Sequence, residues 1–310
     1  MPLLTKIMDL RQHRHDLRIM KPDFIIGGAP KCATTALFDY LAQHPQVFAS
    51  NPKEPHYFAS AALGRPVMQG DYSRGDYQKL FAGCGPGQLA GEGSTHYLHH
   101  AAAVAPLMAE HIPDVKLIFC LREPVARAYS HFLFRYSVAG PYTLGGMGQW
   151  CNFTDFAQDP EMFRMGDYAA QLSIFYQYFD PSQIHLIFFD DMARDMTGCL
   201  QGICRFLGID PEHAFDLSER SNETVYPRLP NLMPLADRLA VRVYPLLTVP
   251  QRRRLLGMRR ALLFGRGAPK PRMTQKEGNF VQSLYRDSVE QLEVLTNRDL
   301  ASWRSARQKP

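Results

Sequence analysis

The sequence predicts an α/β fold with a central parallel sheet flanked by helices, and three observations predict it. Short apolar runs alternate with helical patterns along the first two thirds of the chain. The best formed run, residues 115–121, is apolar at every position but Lys116 near its start, as a strand buried on both faces requires. Turns suited to anions follow the strands at their C-terminal ends, where open α/β sheets bind ligands.

The first element is Phe24-Ile25-Ile26, an apolar run that ends in Gly27-Gly28; after Lys31, apolar residues recur at Leu37, Phe38 and Leu41, so a buried strand turns into a helix. A helix N-terminus presents unpaired N–H groups and the positive end of the dipole to an anion. Lys31 adds a cation, and Thr34 and Thr35 add hydroxyls. Gly28, Ala29, Pro30, Lys31, Cys32, Ala33, Thr34 and Thr35 are therefore the expected phosphate-binding turn. In nucleoside triphosphatases the lysine immediately precedes the magnesium-holding hydroxyl, whereas Lys31 stands three residues before Thr34. Cys32, beside Lys31 at the helix start, is expected to be a reactive thiolate unless it is buried.

With 310 residues, 45% of them hydrophobic and 21% charged, the chain can bury a sizeable core and is not disordered as a whole. A formal charge of +5 favours anionic small molecules but falls short of a nucleic-acid-binding signature, so no nucleic-acid partner is expected. The six cysteines show no Cys-x-x-Cys pair and no metal-ligand spacing. Residues 1–20 hold no apolar run of signal or membrane-span length. The expectation is a reduced, cytoplasmic protein without a metal requirement.

After the loop helix, His44-Pro45 closes the helix, residues 46–49 read as a second strand, and Asn51-Pro52-Lys53-Glu54-Pro55-His56-Tyr57-Phe58 follows. If that segment is extended, Glu54 and His56 point to the same side, as a proton acceptor and its partner need to. Residues 59–89 are expected to be irregular with one short helix. His96, His99 and His100 lack ligand-spaced partners and read as a helix start. Residues 115–121 end at Arg122-Glu123-Pro124, and Pro124 opens a helix with Val125, Ala128, Tyr129 and Phe132 inward. Arg122 then sits at a strand's C-terminal end, with Ser130 about two helical turns further on.

Residues 137–165 are Gly-rich and aromatic and read as an irregular, acceptor-facing loop. Residues 167–179 read as a helix, 184–189 as a strand ending at Asp190-Asp191, and 192–208 as a helix stopped by Gly208. Residues 237–266 carry eight arginines against the single acid Asp237 and suit either an anionic acceptor, a membrane surface touched peripherally, or a solvated lid. Residues 271–303 read as a closing helix with Leu284, Tyr285, Val289, Leu292 and Leu295 at helical spacing, after which Leu300 and Trp303 dock. The preceding loop, 266–276, is placed to cover a nucleotide.

Lys31-Cys32-Ala33-Thr34-Thr35, Lys53-Glu54-Pro55-His56-Tyr57-Phe58 and Leu121-Arg122-Glu123-Pro124-Val125-Ala126-Arg127-Ala128-Tyr129-Ser130 together resemble the signatures of sulfotransferases that use 3′-phosphoadenosine 5′-phosphosulfate (PAPS). The heparan sulfate, or glycan, group is the most similar. The resemblance covers roughly residues 23–303. It implies a P-loop-like three-layer fold in one domain of 310 residues: a core at about 23–210, a basic helical section at about 228–266 and a closure at about 271–303. It further implies that the loop around Lys31 binds the 5′-phosphosulfate, Arg122 and Ser130 the 3′-phosphate, and Glu54 acts as base, with His56 the alternative. The product is 3′-phosphoadenosine 5′-phosphate (PAP), and the acceptor a glycan or another hydroxylated molecule, including a lipid or small metabolite. Gly91-Glu92-Gly93-Ser94-Thr95-His96-Tyr97 departs from the family pattern, with Gly93 where a lysine faces the sulfuryl group; Lys53 or His96 is the nearby substitute. A P-loop kinase and a non-catalytic nucleotide-binding accessory protein are the rival readings.

Overall fold

The computed structural model describes residues 22–68, 72–138, 152–218, 226–227, 247–248, 251, 258, 264–265 and 272–304. It divides into two compact units, one of Met1–Arg122 and Tyr168–Arg220, the other of Glu123–Asp167 and Ser221–Pro310.

The first unit is built on five parallel strands, β1 (Phe24–Gly28), β2 (Val47–Ala49), β3 (Leu89–Glu92), β4 (Lys116–Leu121) and β5 (Ile184–Phe188), in the order β2-β3-β1-β4-β5. All five residues of β1 are buried, which is why its sequence shows no polar alternation. Helices Thr34–Leu41, Ala101–His111, Tyr168–Tyr178 and Met196–Leu207 belong to the same unit, and the Phe175 ring meets Phe119 of β4 with centroids 4.8 Å apart. His99 and His100 lie in the turn that leads into Ala101–His111, in keeping with a helix start.

Several elements differ from the sequence expectation. β3 was not expected as a strand, because its four residues include Gly91 and carry no readable period. That glycine is required by packing: a Cβ there would fall inside van der Waals contact of the Phe24 ring on the neighbouring strand. The stretch before it holds two short helices, Tyr57–Leu63 and Arg74–Lys79. Asp195 interrupts the helix expected over 192–208. Its carboxylate accepts the Gly198 N–H at 2.8 Å and so starts Met196–Leu207 anew, after a separate Phe189–Arg194. Gly208, with φ 81°, stops that helix as expected.

In the second unit, the Glu123 carboxylate accepts the N–H groups of Val125 and Ala126 at 2.9 and 2.7 Å and caps helix Pro124–Val138. Part of the stretch read as irregular forms helices Phe153–Gln158 and Pro160–Arg164, each started by a side-chain cap, Asn152 and Asp159. The closing helix is Gln275–Thr296, opened by a reciprocal Thr274 and Glu277 capping box. Tyr285 stacks on Phe163 with centroids 4.9 Å apart, and the Ser288 hydroxyl donates to Asp167 at 2.6 Å. Leu300 and Trp303 are buried as expected, whereas Leu284 and Leu295 are only half-buried. The basic section 237–266 lies almost entirely outside the described residues, as do residues 266–271 of the loop before the closing helix.

Gly91→Ala tests the packing at the sheet centre. Adding one methyl against Phe24 is expected to cost about 1–3 kcal/mol of unfolding free energy, read as a lower midpoint in denaturant titration with an unchanged slope.

Candidate active site

The turn after β1 is shaped by what it packs against. The Gly27 carbonyl accepts the Leu98 N–H at 2.9 Å, and the Ala29 N–H donates to Cys120 O of β4 at 2.8 Å. A Cβ at Gly28 would stand 2.7 Å from that of Leu98, so only glycine lets the strand end lie on the 95–98 turn. Lys31 and Ala33 then take left-handed backbone angles, φ 71° and 64°, before the helix begins at Thr34. Alternating backbone conformations of this kind turn successive N–H groups toward one concavity. Thr34 is buried and Thr35 half-exposed, so Thr35 is the hydroxyl presented outward.

Lys31 is half-buried, and burial first, then the neighbouring Arg122 charge, lowers its pKa. Arg122 donates to the Lys31 carbonyl at 3.2 Å, and its guanidinium lies 4.4 Å from the Phe189 ring centre. The expected second phosphate ligand is thus joined directly to the first loop. Tyr168, which sequence reading missed, donates its hydroxyl to Arg122 O at 2.9 Å and stands 3.8 Å from the Cys32 sulfur. No sequence signal marks it, since its role depends on a contact across 46 residues. Cys32 is fully buried, the condition under which no reactivity was expected of it, and its sulfur lies against Pro30 O and the Tyr168 hydroxyl. Ser130 lies half-buried on helix Pro124–Val138 of the second unit.

Residues 51–56 do not form the extended strand on which the pairing of Glu54 and His56 was argued. His56 instead adopts φ 52° as the residue before helix Tyr57–Leu63, and this left-handed turn brings its ring to the carboxylate. His56 Nε2 lies 3.3 Å from Glu54 Oε2; Lys53 Nζ lies 3.3 Å from Oε1, and the Thr95 hydroxyl donates to Oε1 at 3.4 Å. Lys53 Nζ also donates to Thr35 Oγ1 at 3.0 Å, so a single ammonium joins the carboxylate to the phosphate loop. The His56 side chain is 2% exposed and that of Glu54 32%, which makes Glu54 the accessible member of the pair. Burial by itself would raise the Glu54 carboxyl, but the His56 hydrogen bond and the Lys53 charge, with smaller contributions from the His56 and His96 rings, outweigh it and hold the group down at about 2.

A buried carboxylate holds this segment in place. Glu92 accepts hydroxyl hydrogen bonds from Tyr77 at 2.8 Å, from Tyr97 at 2.9 Å and, over a very short contact, from Ser94. Ser94 Oγ in turn accepts the His56 N–H at 2.9 Å, and the Tyr97 hydroxyl accepts the Phe58 N–H at 3.3 Å. Burial pushes Glu92 up, and the Ser94, Tyr77 and Tyr97 hydrogen bonds limit the rise to about 7. At Gly93, a Cβ would stand 3.1 Å from Lys53 Cε, so the Lys53 stem runs over this glycine. His96 is pushed down to about 4, by burial and then by His56, and is neutral at pH 7. Among the described residues no group of three or more His, Cys, Asp or Glu is placed to hold a metal ion.

The turn expected to bind phosphate thus follows the first strand, Arg122 follows the fourth and contacts that turn, and the Glu54 carboxylate is joined to it through Lys53. The chain belongs to the sulfotransferase family: the family model "Sulfotransferase domain" matches residues 21–225. It is 25% identical over 247 residues to human carbohydrate sulfotransferase 15, covering 61% of this chain and 44% of that protein. It is also 25% identical over 207 residues to the mouse bifunctional heparan sulfate N-deacetylase/N-sulfotransferase 4, covering 63% of this chain and 23% of that protein. The chain therefore spans less than half the length of these relatives. A sulfotransferase structure from Alicyclobacillus acidocaldarius has the same fold, with TM-score 0.65 and 24% identity over 92% of this chain and 100% of that one.

These relatives correct the expected cytoplasmic location. One, from Dictyostelium discoideum, is a membrane-associated sulfotransferase, 31% identical over 113 residues that cover 36% of this chain and 23% of that one. Among the described residues no helix is long and apolar enough to cross a membrane. Cysteine spacing leaves the compartment of the chain open.

Glu92 yields a pH test. Its native pKa of about 7 lies above the ordinary glutamate value of 4.5, so between these pH values the unfolded chain binds fewer protons and stability falls as pH rises. Glu92→Gln is expected to remove this slope, on the order of 3 kcal/mol in all. Denaturant unfolding of both proteins at pH 5 and pH 8 measures it.

Proposed function

We propose that this chain transfers a sulfuryl group from PAPS to a hydroxyl or amine of a glycan. The observation that carries the reading is the continuous contact from Thr35 of the loop through Lys53 to the Glu54 carboxylate. The names of the carbohydrate and heparan sulfate relatives support the acceptor class. The family match, from residue 21 to 225, takes in segments of both units, and we assign both to one sulfotransferase domain.

Residues 28–35 would hold the 5′-phosphosulfate, with the loop N–H groups and Lys31 offsetting charge that develops on the leaving phosphate. Arg122 would grip the 3′-phosphate, together with Ser130. Glu54, ionised at any pH well above 2, accepts the acceptor proton as the new bond to sulfur forms and the bond from sulfur to the phosphate oxygen breaks, leaving PAP. His56 and Thr95 orient that carboxylate. Positioning the reactants in line lowers the barrier further.

Incubation with sulfur-labelled PAPS and a panel of glycan, lipid and small hydroxylated acceptors tests the reading; binding of PAP without transfer to any acceptor refutes it. Glu54→Gln is expected to lower turnover about a hundredfold or more while PAP binding stays nearly intact; near-normal turnover moves the base to His56. Arg122→Ala should weaken PAP by about 2–3 kcal/mol relative to an analogue without the 3′-phosphate. Calorimetry with both ligands decides it, equal weakening removing the assignment.

A further inference from the structure

We propose that Lys53 is a further catalytic residue, one whose ammonium contacts the oxygens of the sulfuryl group in transit between the loop and the acceptor. The inference rests on the transfer reading above and deepens it.

Three observations carry it. The Lys53 ammonium stands between the two halves of the site, 3.0 Å from the hydroxyl of Thr35 and 3.3 Å from the carboxylate of Glu54. A group moving from the loop toward an acceptor whose proton goes to Glu54 passes beside it. Second, an ammonium has three N–H donors, and Lys53 places two of them on these partners, with no third hydrogen-bond partner among the described residues. Its side chain is only 18% exposed, so the remaining donor is a partly desolvated cationic one, which favours an anionic oxygen. Third, the stem is held in a lane made for it. Gly93 lacks the side chain that would obstruct it, a Cβ there meeting Lys53 Cε at 3.1 Å, and the Phe38 ring lies 5.9 Å from the ammonium.

The chemistry balances without Lys53 changing its protonation state. The acceptor oxygen or nitrogen forms its bond to sulfur and gives its proton to Glu54. The bond from sulfur to the phosphate oxygen breaks, and its electron pair leaves on PAP. Lys53 remains a cation and offsets charge on the sulfuryl oxygens where water is partly excluded. His96, neutral at pH 7, supplies no such charge. Lys53 also helps hold Glu54 ionised, so its loss has a consequence that a purely structural lysine would not.

The test uses the full chain, labelled PAPS, and the glycan acceptor turned over fastest by wild type, with PAPS hydrolysis to PAP as an acceptor-independent readout. Lys53→Met is expected to lower kcat about a hundredfold, leave the PAP Kd within about threefold, and shift the acid limb of the kcat profile to higher pH. Growing the cation from the other side of the lane, Lys53→Ala with Gly93→Lys, is expected to recover at least about a tenth of wild-type turnover. Should Lys53→Met fail to fold, Lys53→Gln is read in the same way. Turnover near wild type in the single variant, a loss of PAP affinity as large as the loss of kcat, or no recovery in the double variant would overturn the proposal. If wild type transfers sulfuryl and the Lys53 variants match it, this inference alone fails. If wild type neither binds PAP nor transfers, the underlying reading fails with it.

Discussion

The site depends on one buried carboxylate. Glu92 at the end of β3 has no exposure, and three hydroxyls converge on it. An unpaired charge at that depth would be strongly unfavourable, so these bonds are obligatory for the fold to keep a glutamate there. Two of the hydroxyls pass the order outward by accepting backbone N–H groups of His56 and Phe58. The chain that carries Glu54 is thereby hung from the sheet, and its left-handed turn at His56 is held by hydrogen bonds made far below the surface.

Above that support the electrostatics run in a consistent direction. Lys53 and neutral donors around Glu54 keep it ionised in the resting protein, while burial first and Arg122 second ease Lys31 toward losing its proton. Both effects answer to added negative charge. In the proposed reaction, a dianionic group in the loop would raise the proton affinity of Lys31 and that of Glu54 beside it, making Glu54 a better base when the site is filled. The resting value of about 2 describes the protein before such a group arrives.

The loop and Arg122 are likewise held by side chains that touch no ligand in this reading. Tyr168 fastens the Arg122 carbonyl beside Cys32, and Arg122 fastens the Lys31 carbonyl. Cys32, whose neighbours in sequence favour a thiolate, is closed off from solvent by its neighbours in space, Tyr168 among them.

The sequence by itself determined the sheet class, the loop around Lys31, the strand end at Arg122 and the closing helix. Each is encoded locally: an uninterrupted apolar run, a Gly-Gly break, a proline at a helix start, a helical stripe. Even the proximity of Glu54 and His56 was legible, though for the wrong reason, since a left-handed turn and not an extended strand produces it. Only the tertiary structure decided the rest. β3 was hidden because its Gly91 answers to Phe24 on another strand, Tyr168 because its partner is 46 residues away, and the link from Thr35 to Lys53 to Glu54 because it joins two loops across 18 residues. Helix caps such as Asp195 and Glu123 were overlooked because a carboxylate starts a helix only when the backbone already turns beneath it. Local patterns state which residues prefer which backbone shape; which side chains then share a charge is settled by the packing that brings the loops together.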